Sequence, residues 1–301
     1  MDPSAAQAAY DRFHPLHGDS TSRRSSSAGS TPPSPSPSSE PNADAAAAAA
    51  DHRLRIALSK ETLLRPFYPG EPKSLSGIAL RAFCLGAALA ASLATIALVL
   101  LLTSSPLWRA PFFLAALSAF HFLEFWTTAA GNPTVACVDS FLLTSNGPAY
   151  AIAHSAAFLE CLVVGALFPD RAWAPEPLAR ALLAAGLLLT AAGQAVRSLA
   201  MLHAGASFNH HIQTTRADTH ALVTTGVYGF VRHPSYAAFF YWGLGTQLVL
   251  GNVVCFAGYA AVLWLFFSRR IRIEEEKLVE FFHEDYVNYR KRVGTWIPFI
   301  Q

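Results

Sequence analysis

The sequence predicts an all-α integral membrane protein, and three observations carry that prediction. Of 301 residues, 52% are apolar and only 14% are charged, and the mean hydropathy is +0.31, a balance too apolar for an ordinary water-soluble domain of this length. Beyond residue 81, apolar runs recur at the length of about 20 residues that a helix needs to cross a hydrocarbon core of roughly 30 Å. Lysine and arginine gather before the first run and after the last one. A net charge of +2, from 22 Lys+Arg against 20 Asp+Glu, excludes a protein that binds through a basic nucleic-acid surface. Cys84, Cys137, Cys161 and Cys255 stand far apart, so they read as small buried hydrophobes rather than as a disulfide framework or a zinc site.

Residues 1–50 carry ten Ser and four Pro between Ser20 and Ser39 and then an alanine run, a composition that predicts a disordered tail. No charged N-region runs straight into an apolar core, so no cleaved secretory signal is expected. Residues 51–81 hold Arg53, Arg55, Lys60, Arg65 and Lys73 among Pro and Gly and read as a basic juxtamembrane segment. Residues 82–301 then form the membrane domain. Four spans are expected at about 82–103, 110–130, 148–168 and 178–201, and two shorter apolar segments at about 234–250 and 252–268 form a tilted hairpin turning at Gly251-Asn252. The charged segment Arg269–Arg292 is amphipathic, with Leu278, Phe281, Phe282 and Tyr286 on its apolar side.

About six crossings put nine Lys/Arg of residues 1–81 and seven of residues 269–292 on the cytosolic side, leaving only Arg109 and Arg171 in the predicted outer loops. The same topology gathers the polar stretch 202–233 and the C-terminal segment on one face, which predicts a cytosolic pocket built mainly from residues 197–301.

Ionisable side chains inside spans are costly and mark a partner or a cavity. His121 and Glu124 fall in the second span and Glu160 in the third; for the two glutamates, hydrogen bonding between helices is the expected role. Arg197 has no acid within a helical turn, so its carboxylate partner must come from another part of the protein or from a ligand. His203, His210, His211, His220 and His233 crowd one stretch, but with Asp218 as the sole acid among them and no HExxH pattern, no metal site is expected. In the run from Thr225 to Tyr236, turn glycines lead into a helix opened by Pro234, whose free N–H groups, with Arg232, His233 and Tyr236, could meet an anion. Arg270 and Glu274 lie one turn apart on the last segment.

These blocks, Asn209-His210-His211-Ile212-Gln213, Thr219-His220-Ala221-Leu222-Val223-Thr224-Thr225-Gly226-Val227-Tyr228, Arg232-His233-Pro234-Ser235-Tyr236, Tyr241-Trp242-Gly243, Glu274-Glu275 and Phe282 through Tyr289, resemble the isoprenylcysteine carboxyl methyltransferase family in its shorter, fungal-type form. Phe122-Leu123-Glu124 and Asp139-Ser140-Phe141-Leu142-Leu143 extend the likeness upstream, to roughly residues 110–301. His283 departs from it, standing where many relatives have glycine.

The resemblance implies methyl transfer from S-adenosyl-L-methionine to the α-carboxylate of a C-terminal S-prenylated cysteine, farnesyl or geranylgeranyl, in CaaX-processed proteins, at the endoplasmic reticulum membrane with both termini cytosolic. It implies Arg197 as a buried catalytic arginine holding the carboxylate in its planar fork, and Glu274 as a catalytic or cofactor-facing acid, pairing with the cofactor's amino group or with Arg197. It implies a cofactor pocket lined by Gln213, His220, Leu222, Val223, Gly226, Tyr228, Arg232, His233, Pro234, Tyr236, Arg270 and Glu275, with either glutamate of the Glu274-Glu275 pair turned inward. Leu278 should face the apolar side of its helix. Membrane lipid surrounds the domain, and nucleic acid has no place in the reading. A phospholipid N-methyltransferase, and a sterol reductase-like enzyme using NADPH, remain the alternatives.

Overall fold

The computed structural model describes residues 43–170, 174–216 and 220–301, so the Ser/Pro-rich segment 1–42, the outer-loop Arg171, and Asp218 and Thr219 lie outside the described residues. Among the described residues every regular element is helical. The chain divides into two units between Ile56 and Ala57. The first described helix, α1 (Ala43–Leu64), begins within the last residues of the segment expected as a tail. Six consecutive alanines, the residue that loses least on entering a helix, account for the early start.

In the second unit, α2 (Leu75–Leu102) begins where the Ser74 hydroxyl accepts the Gly77 N–H, a side-chain cap at the point where the apolar run starts. The helices α3 (Arg109–Gly131), α4 (Gly147–Leu167) and α5 (Glu176–Ala204) follow within a few residues of the predicted spans. The predicted hairpin is α6 (Pro234–Leu250) followed by α7 (Val254–Arg292). Five helical segments are long and apolar enough to cross a membrane: Leu75–Leu102, Pro106–Gly131, Gly147–Leu167, Glu176–Ser207 and Val254–Arg292.

Helix α6 is not among them: it has 17 residues and reaches about 25 Å. Twelve of its residues are buried, Trp242, Val249 and Leu250 nearly completely, so α6 forms the protein core rather than a lipid-facing surface. It lies against α5 because glycine removes side chains from the crossing. A Cβ at Gly193 would meet Trp242 Cβ at 2.8 Å, and one at Gly245 would meet the Thr190 backbone N at 2.7 Å.

The hairpin turn is fixed from outside itself. Gly251 takes the left-handed conformation (φ 68°) that ends α6, and the Asn252 amide donates to the Ala157 carbonyl of α4. Glu160, also on α4, accepts the N–H groups of Val253, Val254 and Cys255 at 2.7–2.9 Å, satisfying the free donors at the start of α7. The interhelical role expected for Glu160 is therefore observed, with backbone as its partner.

The segment Arg269–Arg292 continues α7 rather than forming a separate helix, but His283 breaks it with φ 49° and ψ −128°. Fifteen residues of straight helix span about 22 Å. Arg290 Nη1 nevertheless lies 3.4 Å from Glu275 Oε2, so the chain turns back at His283 and lays its last helical turns over the preceding ones.

Candidate active site

The turn at His283, the start of α6 and the described parts of the connection, 205–216 and 220–229, enclose a cleft. The connection is held by local necessity. Gly226 sits at φ 59° where a Cβ would meet the His203 ring at 2.7 Å, and the Tyr228 hydroxyl donates to the Ala200 carbonyl at 3.3 Å. After the His283 turn, the Tyr289 hydroxyl donates to the Tyr228 carbonyl at 2.6 Å. Further on, the Val293 and Gly294 carbonyls accept Arg232 Nη1 and the Arg232 backbone N–H at 2.9 and 3.0 Å.

The cleft and its open mouth together leave about 670 Å³ of space between the lining atoms. Of the residues expected in the pocket, His220, Leu222, Val223, Tyr228, Arg232, His233, Pro234 and Tyr236 line it, together with Glu274. An adjoining cleft of about 330 Å³ shares Glu274 and His220 and adds Gln213, which is where that predicted residue lies.

The two neighbouring glutamates have separate tasks. Glu275 is buried and accepts Arg232 Nε at 2.6 Å and pairs with His233 Nε2 at 3.1 Å, with Arg290 beyond. It is the counter-ion that lets a guanidinium and an imidazole sit under the cleft. Glu274 faces the cleft and accepts the Tyr236 hydroxyl at 2.5 Å. Tyr236 is held in turn by Arg270 Nε at 2.8 Å and by stacking on His233, with ring centroids 5.5 Å apart and planes 3° apart.

Three predicted pocket residues thus line neither cleft. Glu275 is a buried ion-pair partner, Gly226 packs on His203, and Arg270 reaches the site through Tyr236 while its Nη2 donates to the His210 carbonyl at 2.5 Å. Leu278 is a correction in the opposite sense: it lines the cleft with Phe282 and Tyr286, because the chain reversal covers the side of α7 that a straight helix would leave bare. The open anion site expected at the start of α6 is also largely closed. The Tyr236 and Ala237 N–H groups both return to the His233 carbonyl, and Arg232 Nε and Nη1 are engaged. Arg232 Nη2 is buried and without a partner among the described residues.

Arg197 lies beside the cleft without lining it. Its Nε and Nη2 donate to the two carboxylate oxygens of Glu124 on α3, the second at 2.8 Å, and its Nη1 donates to the Ser235 hydroxyl and carbonyl at 2.9 and 3.1 Å. The Phe120 and Phe239 rings stand 5.4 and 5.2 Å from its guanidinium carbon. The partner that Arg197 requires is therefore Glu124, not Glu274, and its fork is filled by protein: a cation in an apolar interior needs a counter-charge whether or not a ligand is bound.

His210 completes this network. Its Nε2 lies 3.1 Å from the Thr128 hydroxyl and its Nδ1 3.8 Å from Glu124 Oε2, and burial pushes its pKa down to about 4. Burial, reinforced by the Arg216 charge, also lowers His220. Both imidazoles are neutral at neutral pH.

Sequence reasoning missed Ser207, Phe208, Ser235, Tyr286 and Tyr289 as lining residues. Tyr286 carried a signal read the other way, as one more position on an apolar helix face, and Ser235 stood inside a quoted motif with no role.

The model of the isoprenylcysteine carboxyl methyltransferase (ICMT) family matches residues 185–280. A protein-S-isoprenylcysteine O-methyltransferase of Saccharomyces cerevisiae is 50% identical over 189 residues, 62% of this chain and 79% of the relative. The Xenopus laevis protein of the same name is 40% identical over 229 residues, 74% of each chain. Among solved structures, the eukaryotic intramembrane Ras methyltransferase ICMT matches with a TM-score of 0.66 and 32% identity, over 84% of this chain and 86% of that one.

Proposed function

Because the chain belongs to the isoprenylcysteine carboxyl methyltransferase family, we propose that it transfers the methyl group of S-adenosyl-L-methionine to the C-terminal α-carboxylate of S-prenylated cysteine in CaaX-processed proteins. One observation carries the choice of methyl donor: the cleft that Glu274 lines is also walled by Arg232, whose Nη2 is buried and unpartnered among the described residues. The donor's amino-acid end carries an ammonium and a carboxylate, the two groups that complement this pair.

When bound, S-adenosyl-L-methionine supplies a sulfonium methyl; a carboxylate oxygen forms the new O–CH₃ bond and the electron pair of the broken S–CH₃ bond stays on sulfur. Glu274 binds the ammonium, with Tyr236 fixing Oε2 and leaving Oε1 for the ligand. Arg232 binds the carboxylate end. Tyr228, Phe282 and Tyr286 exclude water and offer aromatic faces to a cation. No side chain has to act as a base, since an α-carboxyl with a pKa of about 3.3–3.7 is ionised at neutral pH. Arg197 supplies a fixed positive charge beside the cleft, balanced by Glu124. The prenyl chain stays in contact with lipid, because each buried CH₂ favours that by about 0.8 kcal/mol. The charge distribution supports cytosolic termini, and the family reading supports the endoplasmic reticulum membrane as the location.

Isothermal titration of the purified protein in detergent tests the donor. S-adenosylhomocysteine should bind one to one and NADPH should not. Glu274→Gln should weaken S-adenosylhomocysteine by about tenfold, the range of one charge-assisted hydrogen bond. Binding of NADPH alone would replace this reading with the reductase one.

A further inference from the structure

Building on the proposed methyl transfer, we infer that the hydroxyl of Ser235 is the donor that holds the acceptor carboxylate, with Arg197 behind it as a positioning residue. Ser235 lines the cleft at the first turn of α6, with 5% of its surface exposed. Its oxygen already accepts Arg197 Nη1 at 2.9 Å, and its carbonyl accepts the same nitrogen at 3.1 Å. The hydroxyl is thus fixed as an acceptor on its protein side, and no described hydrogen bond uses its own proton. A serine oxygen carries one donor and two acceptor positions. A cation on the acceptor side polarises the O–H and strengthens what it donates.

The arrangement answers a problem that a direct arginine clamp would raise. Both ends of the Arg197 fork are bound to Glu124. Releasing them to a ligand would leave a buried carboxylate unpaired, which is strongly destabilising. A fork would also cover both oxygens of the acceptor, although one of them must attack. A single hydroxyl holds one oxygen and leaves the other bare, so the carboxylate is oriented without being fully solvated by the protein. Ser235 transfers no proton: the O–H bond persists through the step, and the charge lost from the carboxylate on methylation removes the reason for the ester to stay.

The test is steady-state methylation of N-acetyl-S-farnesylcysteine by Ser235→Ala, Ser235→Cys and Ser235→Thr in detergent, with S-adenosylhomocysteine binding measured on each. Ser235→Ala should lower kcat/KM for the prenylcysteine by about tenfold to a hundredfold, the range for a hydrogen bond to a charged group. Its affinity for S-adenosylhomocysteine should change less than twofold. Ser235→Thr, which keeps the hydroxyl, should recover most of the loss, and the nearly isosteric Ser235→Cys, a weak donor, should not. Unchanged kinetics in Ser235→Ala or Ser235→Cys would overturn the inference. So would a loss confined to S-adenosylhomocysteine affinity, which would assign the hydroxyl to the methyl donor instead. Failure of the unsubstituted protein to methylate the prenylcysteine would overturn the proposed function itself, a result separate from any of these.

Discussion

Arg197 and Glu124 are 73 residues apart in sequence and share a bidentate ion pair at 9% and 1% side-chain exposure. Arg197→Lys keeps the charge but cannot span both carboxylate oxygens and Ser235 at once. It should cut turnover on the order of 10²-fold, the scale of a positioning defect, while S-adenosylhomocysteine binding changes little. Arg180→Lys on the same helix, in an exposed pair with Glu176, should be nearly silent. Equal damage from both would remove Arg197 from the mechanism.

His210 gives a second prediction at this scale. Its pKa is about 4 in the folded protein against about 6.5 unfolded, so the unfolded chain binds the extra proton as pH falls. The neutral imidazole costs no stability above pH about 6.5, and up to about 3 kcal/mol is lost as pH drops to about 4. Thermal melts of His210→Asn should show a shallower loss over that window than the unsubstituted protein, and parallel curves would refute the shift.

The need of Arg197 for a distant carboxylate was legible in the sequence, because a cation without an acid in its own helical turn must find one elsewhere. Which acid fills that place depends on how α3 and α5 cross, and no local pattern encodes it. The division of labour between Glu274 and Glu275 was hidden for a similar reason: adjacent helix positions point about 100° apart, and only packing decides which one meets the cleft.

At the scale of elements, the helices were legible because long apolar runs have few alternative structures, and Gly251 marked the hairpin turn correctly. The burial of α6 was not, since a helix apolar all round reads alike in lipid and in a protein core. The reversal at His283 escaped because helical spacing continues through it, although the departure from glycine at this position was visible. With φ 49° and ψ −128°, His283 occupies backbone space that glycine enters freely and other residues enter at a cost of about 1–3 kcal/mol. His283→Gly should therefore raise stability by about 1 kcal/mol net of the extra entropy of the unfolded chain, with activity retained. A lower melting temperature would show that the turn is held by the histidine side chain instead.

At the scale of the molecule, five candidate spans packed around the buried helix α6 close a polar cleft against apolar helices, and this juxtaposition suits a reaction whose two substrates have opposite solubilities. Leu188, Leu199, Val262 and Phe266 remain exposed on the surrounding helices, where lipid can cover them. The cleft is walled instead by His220, Arg232, Glu274 and tyrosines. Composition alone made the membrane setting legible, and motif resemblance the chemistry; the fold-back that roofs the cleft needed coordinates. In the proposed reaction the nucleophile is a carboxylate held beside the fixed charge of Arg197. This is tested by presenting membranes that contain the protein with radiolabelled S-adenosyl-L-methionine and either N-acetyl-S-farnesylcysteine or its carboxamide. Base-labile label should appear on the acid and none on the amide, and equal labelling of the two would rule out a carboxylate nucleophile.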